Sequence, residues 1–106
     1  MPVAIVQDWV AEETDRSTTN YDAIHERLMQ SGPIDGFLLH TAGFTGSGFR
    51  IFEVWETREQ YDRFVDERLM PLVREIAPSD SGQPELTVYE LHGFVVTPHA
   101  AEVPAF

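Results

Sequence analysis

Residues 49–74, FRIFEVWETREQYDRFVDERLMPLVR, constrain the fold more than any other stretch of the chain. They read as strand, sharp corner and helix. Residues 49–55 alternate two faces, with Phe49, Ile51, Glu53 and Trp55 on one side and Arg50, Phe52 and Val54 on the other. Thr57 offers an N-cap oxygen, and Gln60 stands three residues on, where the reciprocal partner of a capping box belongs. Tyr61, Phe64, Val65, Arg68, Leu69 and Leu72 then recur at helical spacing, so one stripe lies back on the sheet that Trp55 has just left. Pro71 inside that pattern predicts a kink, or a break into two helical pieces, near Met70.

Around this unit the remaining elements fall into place. Residues 3–10 are rich in Val and Ile and alternate Ile5, Gln7 and Trp9 against Ala4, Val6 and Asp8, a first strand. A polar connection over residues 12–20 ends in TTN, which supplies capping side chains. Over residues 21–30, Tyr21, Ile24, His25 and Leu28 form a helical stripe that Ser31, Gly32 and Pro33 terminate. Residues 36–44, GFLLHTAGF, are a second strand, joined to the third by a hairpin at TGSG. If Phe44 pairs with Phe49, then His40 faces Glu53, Ala42 faces Ile51 and Leu38 faces Trp55. Residues 77–84, APSDSGQP, are a loop, and ELTVYELH from residue 85 is the fourth strand, interrupted by Gly93.

The order strand, helix, strand, strand, helix, strand is the split βαβ pattern, βαββαβ, of an α+β ferredoxin-like domain. Residues 1–96 are expected to form this domain and residues 97–106 a C-terminal tail, either disordered or lying on a partner subunit. Two helices cover one sheet face and leave the other bare, with Arg50, Phe52 and Val54 on it. Burying that face against an identical sheet predicts a twofold homodimer, each sheet supplying half of a closed barrel. Arg50 is expected to pair with Asp8 there.

The strand ending in VWET followed by REQYDRFV resembles the hydrophobic-x-Trp-x-Ser/Thr-x-x-x-aromatic signature of the dimeric α/β barrel superfamily, in particular the antibiotic biosynthesis monooxygenase family and the heme-degrading monooxygenases. The chain is also similar to a set of small actinobacterial proteins with an HTAG-type second strand, here His40-Thr41-Ala42-Gly43, and a helix ending in RLxPLV. In the cofactor-independent quinone-forming members, a Trp ending the third strand and a Tyr early in the next helix line the substrate cavity. The resemblance assigns those places to Trp55 and Tyr61. An Asn four residues before the Trp is replaced by Ile51, which cannot bind a substrate oxygen. In the heme-degrading members, the corresponding Asn, Trp and His positions fall on Gln7, Phe64 and Arg74, so the iron-binding His is missing.

Composition narrows the chemistry. With 18 acidic and 7 basic residues the net charge is -11, which repels nucleic acid and anionic membranes. All the basic residues are Arg; the absence of Lys excludes a side-chain Schiff base, a pyridoxal phosphate anchor and a P-loop lysine. The absence of Cys excludes thiol nucleophiles and disulfides. Neither a signal peptide nor an apolar run of membrane-spanning length is legible, so a cytoplasmic location is expected.

What remains points to a pocket. His40 opposite Glu53 is the candidate catalytic pair: a carboxylate accepting from one imidazole nitrogen fixes the tautomer and leaves the other as a general base. The same two residues can equally be a structural pair satisfying each other on a buried face. Trp55, Tyr61, Gln7 and His25 are the candidate substrate-binding residues. The four His match no metal-ligand spacing, and neither metal nor cofactor is expected. The leading reading is a cofactor-independent, monooxygenase-like or cyclase-like enzyme acting on a small aromatic or polyketide-type substrate. A non-catalytic binder of a hydrophobic metabolite is the alternative, and heme held by His25 or His40 a third. His92 and His99 have no assignable facing.

Overall fold

The computed structural model describes residues 1–10, 17–78 and 84–102. Strands β1 (Val3–Val10), β2 (Phe37–Phe44), β3 (Gly48–Trp55) and β4 (Glu85–Glu90) form one antiparallel sheet in the order β2-β3-β1-β4. Helix α1 (Thr19–Gln30) connects the first two strands. Helix α2 (Arg58–Phe64), a π turn (Val65–Leu69) and helix α3 (Met70–Ile76) follow β3, and a 3-10 turn (Pro98–Glu102) lies beyond β4. This is the expected ferredoxin-like βαββαβ order. Most of the expected loop over residues 77–84, and residues 103–106 of the expected tail, lie outside the described residues. Among the described residues no helix is long and apolar enough to cross a membrane.

The alternation of β3 sorts the two faces. Trp55 is fully buried and Glu53 is 7% exposed, both on the helix-covered side. There Val3 pairs with Trp55, Ile5 with Glu53, Gln7 with Ile51 and Trp9 with Phe49. Val3, Ile5, Leu28, Trp55, Tyr61 and Phe64 form the core, with Ile24, Phe37, Val65, Leu69 and Leu72 packed around it. Burying such a set, each side chain worth roughly 1.5–3 kcal/mol, is what holds the helices on the sheet. On the other face Arg50 lies opposite Asp8 and bonds it through Nε at 2.6 Å, the pairing expected from sequence.

The hairpin register holds from Phe44↔Phe49 through His40↔Glu53 to Leu39↔Val54. It then departs from expectation: Phe37, not Leu38, is the partner of Trp55, because a β-bulge falls between Phe37 and Leu39. The bulge turns Leu38 outward, 42% exposed, and lays the Phe37 ring on Trp55 with centroids 5.2 Å apart.

Thr57 caps α2 as expected, its hydroxyl oxygen accepting from the Gln60 backbone N–H at 3.2 Å. The Gln60 amide does not close the box on Thr57 N–H; it donates to Asp35 at 3.2 Å. At α1 the Thr18 hydroxyl donates to the Asp22 carboxylate at 2.9 Å instead of capping a backbone N–H, and the helix begins two residues earlier than the stripe of Tyr21 suggests. The break expected at Pro71 is the π turn. Proline has no N–H for the carbonyl four residues back, and the widened turn over Val65–Leu69 leads into α3, where Pro71 occupies the first turn.

Gly36, just before β2, holds φ +82°, and its carbonyl accepts from Glu56 N–H at 2.8 Å. A Cβ there would meet Gln60 Oε1 at 2.4 Å and Gln60 Cβ at 2.9 Å. Gly36→Ala is therefore expected to cost about 1–3 kcal/mol, from the left-handed backbone and the collision together. Urea denaturation checks this, and an unchanged midpoint would show that the corner between α2 and β2 is looser than described.

Candidate functional site

Between α1 and the helix-covered face of the sheet lies a cavity of about 750 Å3. Its size is that of a small-molecule site. Its walls are aromatic and aliphatic, from Trp9, Phe37, Phe44, Phe49, Trp55 and Phe64 to Val65, Leu69 and Met70 of the π turn and its exit. All six candidate site residues, Gln7, His25, His40, Glu53, Trp55 and Tyr61, line it.

Four of its polar groups form one chain. Glu53 and Trp55 stand two residues apart on β3, so they share a face, and Trp55 Nε1–H donates to Glu53 Oε1 at 3.1 Å. His40 reaches the other carboxylate oxygen from β2, with Nδ1 2.6 Å from Glu53 Oε2. Tyr21, from the first turn of α1, places its hydroxyl 2.6 Å from His40 Nε2. The chemistry of the ends sets the protons. An indole N–H can only donate, so Oε1 accepts; an ionised carboxylate accepts from Nδ1–H at Oε2; and Nε2 is left with a lone pair for the Tyr21 O–H. Burial first, then the charges of Glu53 and Asp22, push the Tyr21 phenol up to about 12, which keeps it protonated as this arrangement requires.

A second pair lies beside the first. Gln7 Nε2–H donates to the Tyr61 hydroxyl oxygen at 2.5 Å, and the Tyr61 ring meets Trp55 edge-on with centroids 5.7 Å apart. Burial drives the Tyr61 phenol up to about 12, against the hydrogen bond from Gln7, which lowers it. A phenol that accepts from Gln7 keeps its own proton for another acceptor. The Gln7 amide N–H is thus engaged by Tyr61, another of the cavity-lining residues.

His25 sits one turn after Tyr21 and joins a stack of rings. Its centroid is 5.7 Å from Tyr21 with planes 19° apart, and 5.4 Å from His40. Tyr21 is the residue that sequence reasoning missed as a member of the site. Its signal was present: a tyrosine on the inward stripe of an amphipathic helix needs a partner for its O–H. His92 is exposed, and His99 bonds Glu102 within the 3-10 turn at 3.1 Å, away from the cavity residues. Among the described residues no group of three His, Asp or Glu is placed to hold a metal ion. A smaller cleft of about 210 Å3 by Pro33, Asp35 and Gln60 has its cations engaged, Arg63 with Asp35 and Arg68 with the Pro33 carbonyl and Ser31 hydroxyl.

Burial, followed by the nearby His40, lowers the His25 imidazole below the ordinary value of 6.5, and Asp22 opposes this. The fold therefore favours the neutral ring. Its contribution to stability is complete above about pH 6.5 and is lost as the pH falls below that value, where the unfolded chain takes up the proton more readily. Relative to the wild-type protein, His25→Gln is expected to lose stability less steeply below pH 6.5, measured by denaturant titration across the acid range. Parallel profiles would contradict the assignment.

No family model matches the chain and no curated protein matches it by sequence. Solved structures do. The structure of Rv0793 from Mycobacterium tuberculosis has a TM-score of 0.67 at 16% identity, covering 91% of this chain and 100% of its own. SnoaB, a cofactor-independent oxygenase from Streptomyces nogalater, has a TM-score of 0.59 at 13% identity, covering 89% and 96%. The monooxygenase ActVA-Orf6 of Streptomyces coelicolor, in complex with nanaomycin D, has a TM-score of 0.54 at 20% identity, covering 91% of each chain. What these likenesses establish is the fold: these proteins share with this chain a four-stranded antiparallel sheet with helices in the ferredoxin-like βαββαβ order.

Proposed function

We propose that this chain, built on the fold of antibiotic biosynthesis monooxygenase-like proteins, is a cofactor-independent oxygenase for a small aromatic, polyketide-type phenol or enol. The observation that carries the reading is a histidine oriented by a buried carboxylate, His40 on Glu53, at the wall of an aromatic-lined cavity of about 750 Å3. Two similar folds belong to a cofactor-independent oxygenase and to a monooxygenase holding nanaomycin D, which supports the substrate class.

The His40–Glu53 pair supplies the base. Removing the proton of a phenol makes its ring electron-rich enough for molecular oxygen to oxidise it directly. At the carbon para to the phenol, one oxygen atom becomes the new C=O and the other leaves as water, so a phenol and O2 give a quinone and H2O. Trp55 and Tyr61 hold the ring, and the Tyr61 proton bonds a ligand oxygen. Ile51 is apolar and takes no part in binding that oxygen.

Oxygen uptake with a hydroxynaphthalene or anthrone-type probe tests the reading. His40→Ala is expected to lower turnover by about 100-fold or more, the worth of a positioned base, while quenching of tryptophan fluorescence by the probe persists. A wild-type protein that binds the probe but consumes no oxygen would instead be a metabolite-binding protein.

A homodimer through the sheet face opposite the helices is part of the same proposal, although Ala4 and Val54 of that face, expected to be bare, are already buried within one chain. Val6 and Phe52 are opposite each other on that face, half-buried beside the Asp8–Arg50 pair. Sedimentation is expected to give a dimer, and Phe52→Glu, which puts a charge on that face, to give monomers. A dimer unaffected by the charge would move the interface elsewhere.

A further inference from the structure

Resting on the base assigned above, we infer that Tyr21, not His40, is the catalytic residue that exchanges a proton with the bound phenol, and that His40 and Glu53 form a relay behind it. Geometry leads to this. His40 Nδ1 is turned to Glu53, and the other nitrogen, Nε2, is already 2.6 Å from the Tyr21 hydroxyl. A ligand proton reaches His40 directly only by displacing that phenol. Displacement is opposed on two sides, because the Tyr21 ring is stacked on His25 and meets Phe49 edge-on with centroids 5.5 Å apart. Tyr21 is half-buried and lines the cavity, so its oxygen has a lone pair for a ligand O–H while its own O–H is donated to Nε2.

The transfer balances without any redox change. The ligand O–H bond breaks and its proton joins the Tyr21 oxygen. The former Tyr21 proton passes to His40 Nε2. The Nδ1 proton stays on the ring, hydrogen-bonded to Glu53 Oε2. The products are a ligand phenolate and an imidazolium paired with a carboxylate. Because the Tyr21 phenol lies near 12, the relay needs no standing tyrosinate; the residue gives one proton as it takes another. Glu53 stands one step further from the Tyr21 hydroxyl, behind His40, with one oxygen accepting from Trp55 and the other from His40.

The test uses 4-nitrophenol, whose phenolate absorbs in the visible, so that its ionisation on the protein is read without any turnover. 4-Nitroanisole, which has no proton to give, measures binding alone by tryptophan fluorescence. Tyr21→Phe is expected to raise the ionisation midpoint of bound 4-nitrophenol by about one pH unit or more, a tenfold loss, with anisole affinity changed less than about threefold. His40→Gln is expected to cause a similar shift, and the double variant to add little, because the two residues act as one unit. An unshifted midpoint in Tyr21→Phe would overturn the relay and return the proton to His40, leaving the proposed function standing. Additive shifts would overturn it as well. If the wild-type protein binds 4-nitroanisole but does not favour ionisation of 4-nitrophenol, or binds neither, the base reading itself fails and the relay with it.

Discussion

Glu53 is the constraint around which this molecule is arranged. A carboxylate at 7% exposure on the helix-covered face of a sheet stands to lose several kcal/mol of solvation unless its lone pairs are met. Both oxygens are met, each from a different direction: Trp55 along the same strand and His40 from the neighbouring one. The second contact demands the pairing His40↔Glu53, and a slip of one residue between β2 and β3 would replace imidazole by the Leu39 or Thr41 side of the strand. The buried charge therefore works against alternative registers more strongly than the apolar alternation of β2 does alone. The hairpin turn agrees with it, since Thr45 N–H bonds the Gly48 carbonyl at 2.7 Å and the Thr45 hydroxyl oxygen accepts from Gly48 N–H at 3.0 Å.

The space beside this carboxylate is opened by irregularities in the backbone. The bulge at Leu38 lets Phe37 cover Trp55 without moving His40 off Glu53. On the other wall, Pro71 and the π turn prevent one uninterrupted α-helix from running over residues 58–76. Val65, Leu69 and Met70, the residues of that widened segment and its exit, line the cavity. A regular helix would turn a different set of side chains inward after each displaced residue. Cavity and π turn thus belong to one solution: the helix gives up regular pairing where proline forbids it, and the altered stripe borders the space.

The sequence made the sheet legible because strands advertise themselves through a period of two, and β3 did so on both faces. That period, carried across a short hairpin, was enough to bring His40 and Glu53 together and to pair Asp8 with Arg50. It failed at Leu38, since a bulge adds one residue without changing composition, and an apolar Phe-Leu-Leu run reads equally well in either phase. Helix ends were less legible: Thr18 has the chemistry of a cap but spends its hydroxyl on Asp22. Gln7–Tyr61 and Tyr21–His40 were beyond the reach of periodicity, because residues 54 and 19 positions apart in the chain meet only once helices are set on the sheet.

The direction of the hydrogen bonds gives the site a polarity that its residue list does not. In the larger chain the donors Tyr21 and His40 point the same way, from Tyr21 to His40 to Glu53, and the last acceptor is clamped from its far side by the Trp55 indole, which cannot accept a proton in return. Positive charge moving inward along such a chain ends on an imidazole beside a carboxylate, where it is stabilised; negative charge is left at the cavity end. The smaller pair has the opposite sense. Gln7 donates to Tyr61, and the Tyr61 proton is then free to serve an oxygen that carries negative charge. One cavity thus presents an acceptor at the Tyr21 end and a donor at the Tyr61 end, with aromatic rings between them. That arrangement suits a planar ligand that loses a proton at one position and gathers charge on oxygen at another, as an ionised phenol does across its ring.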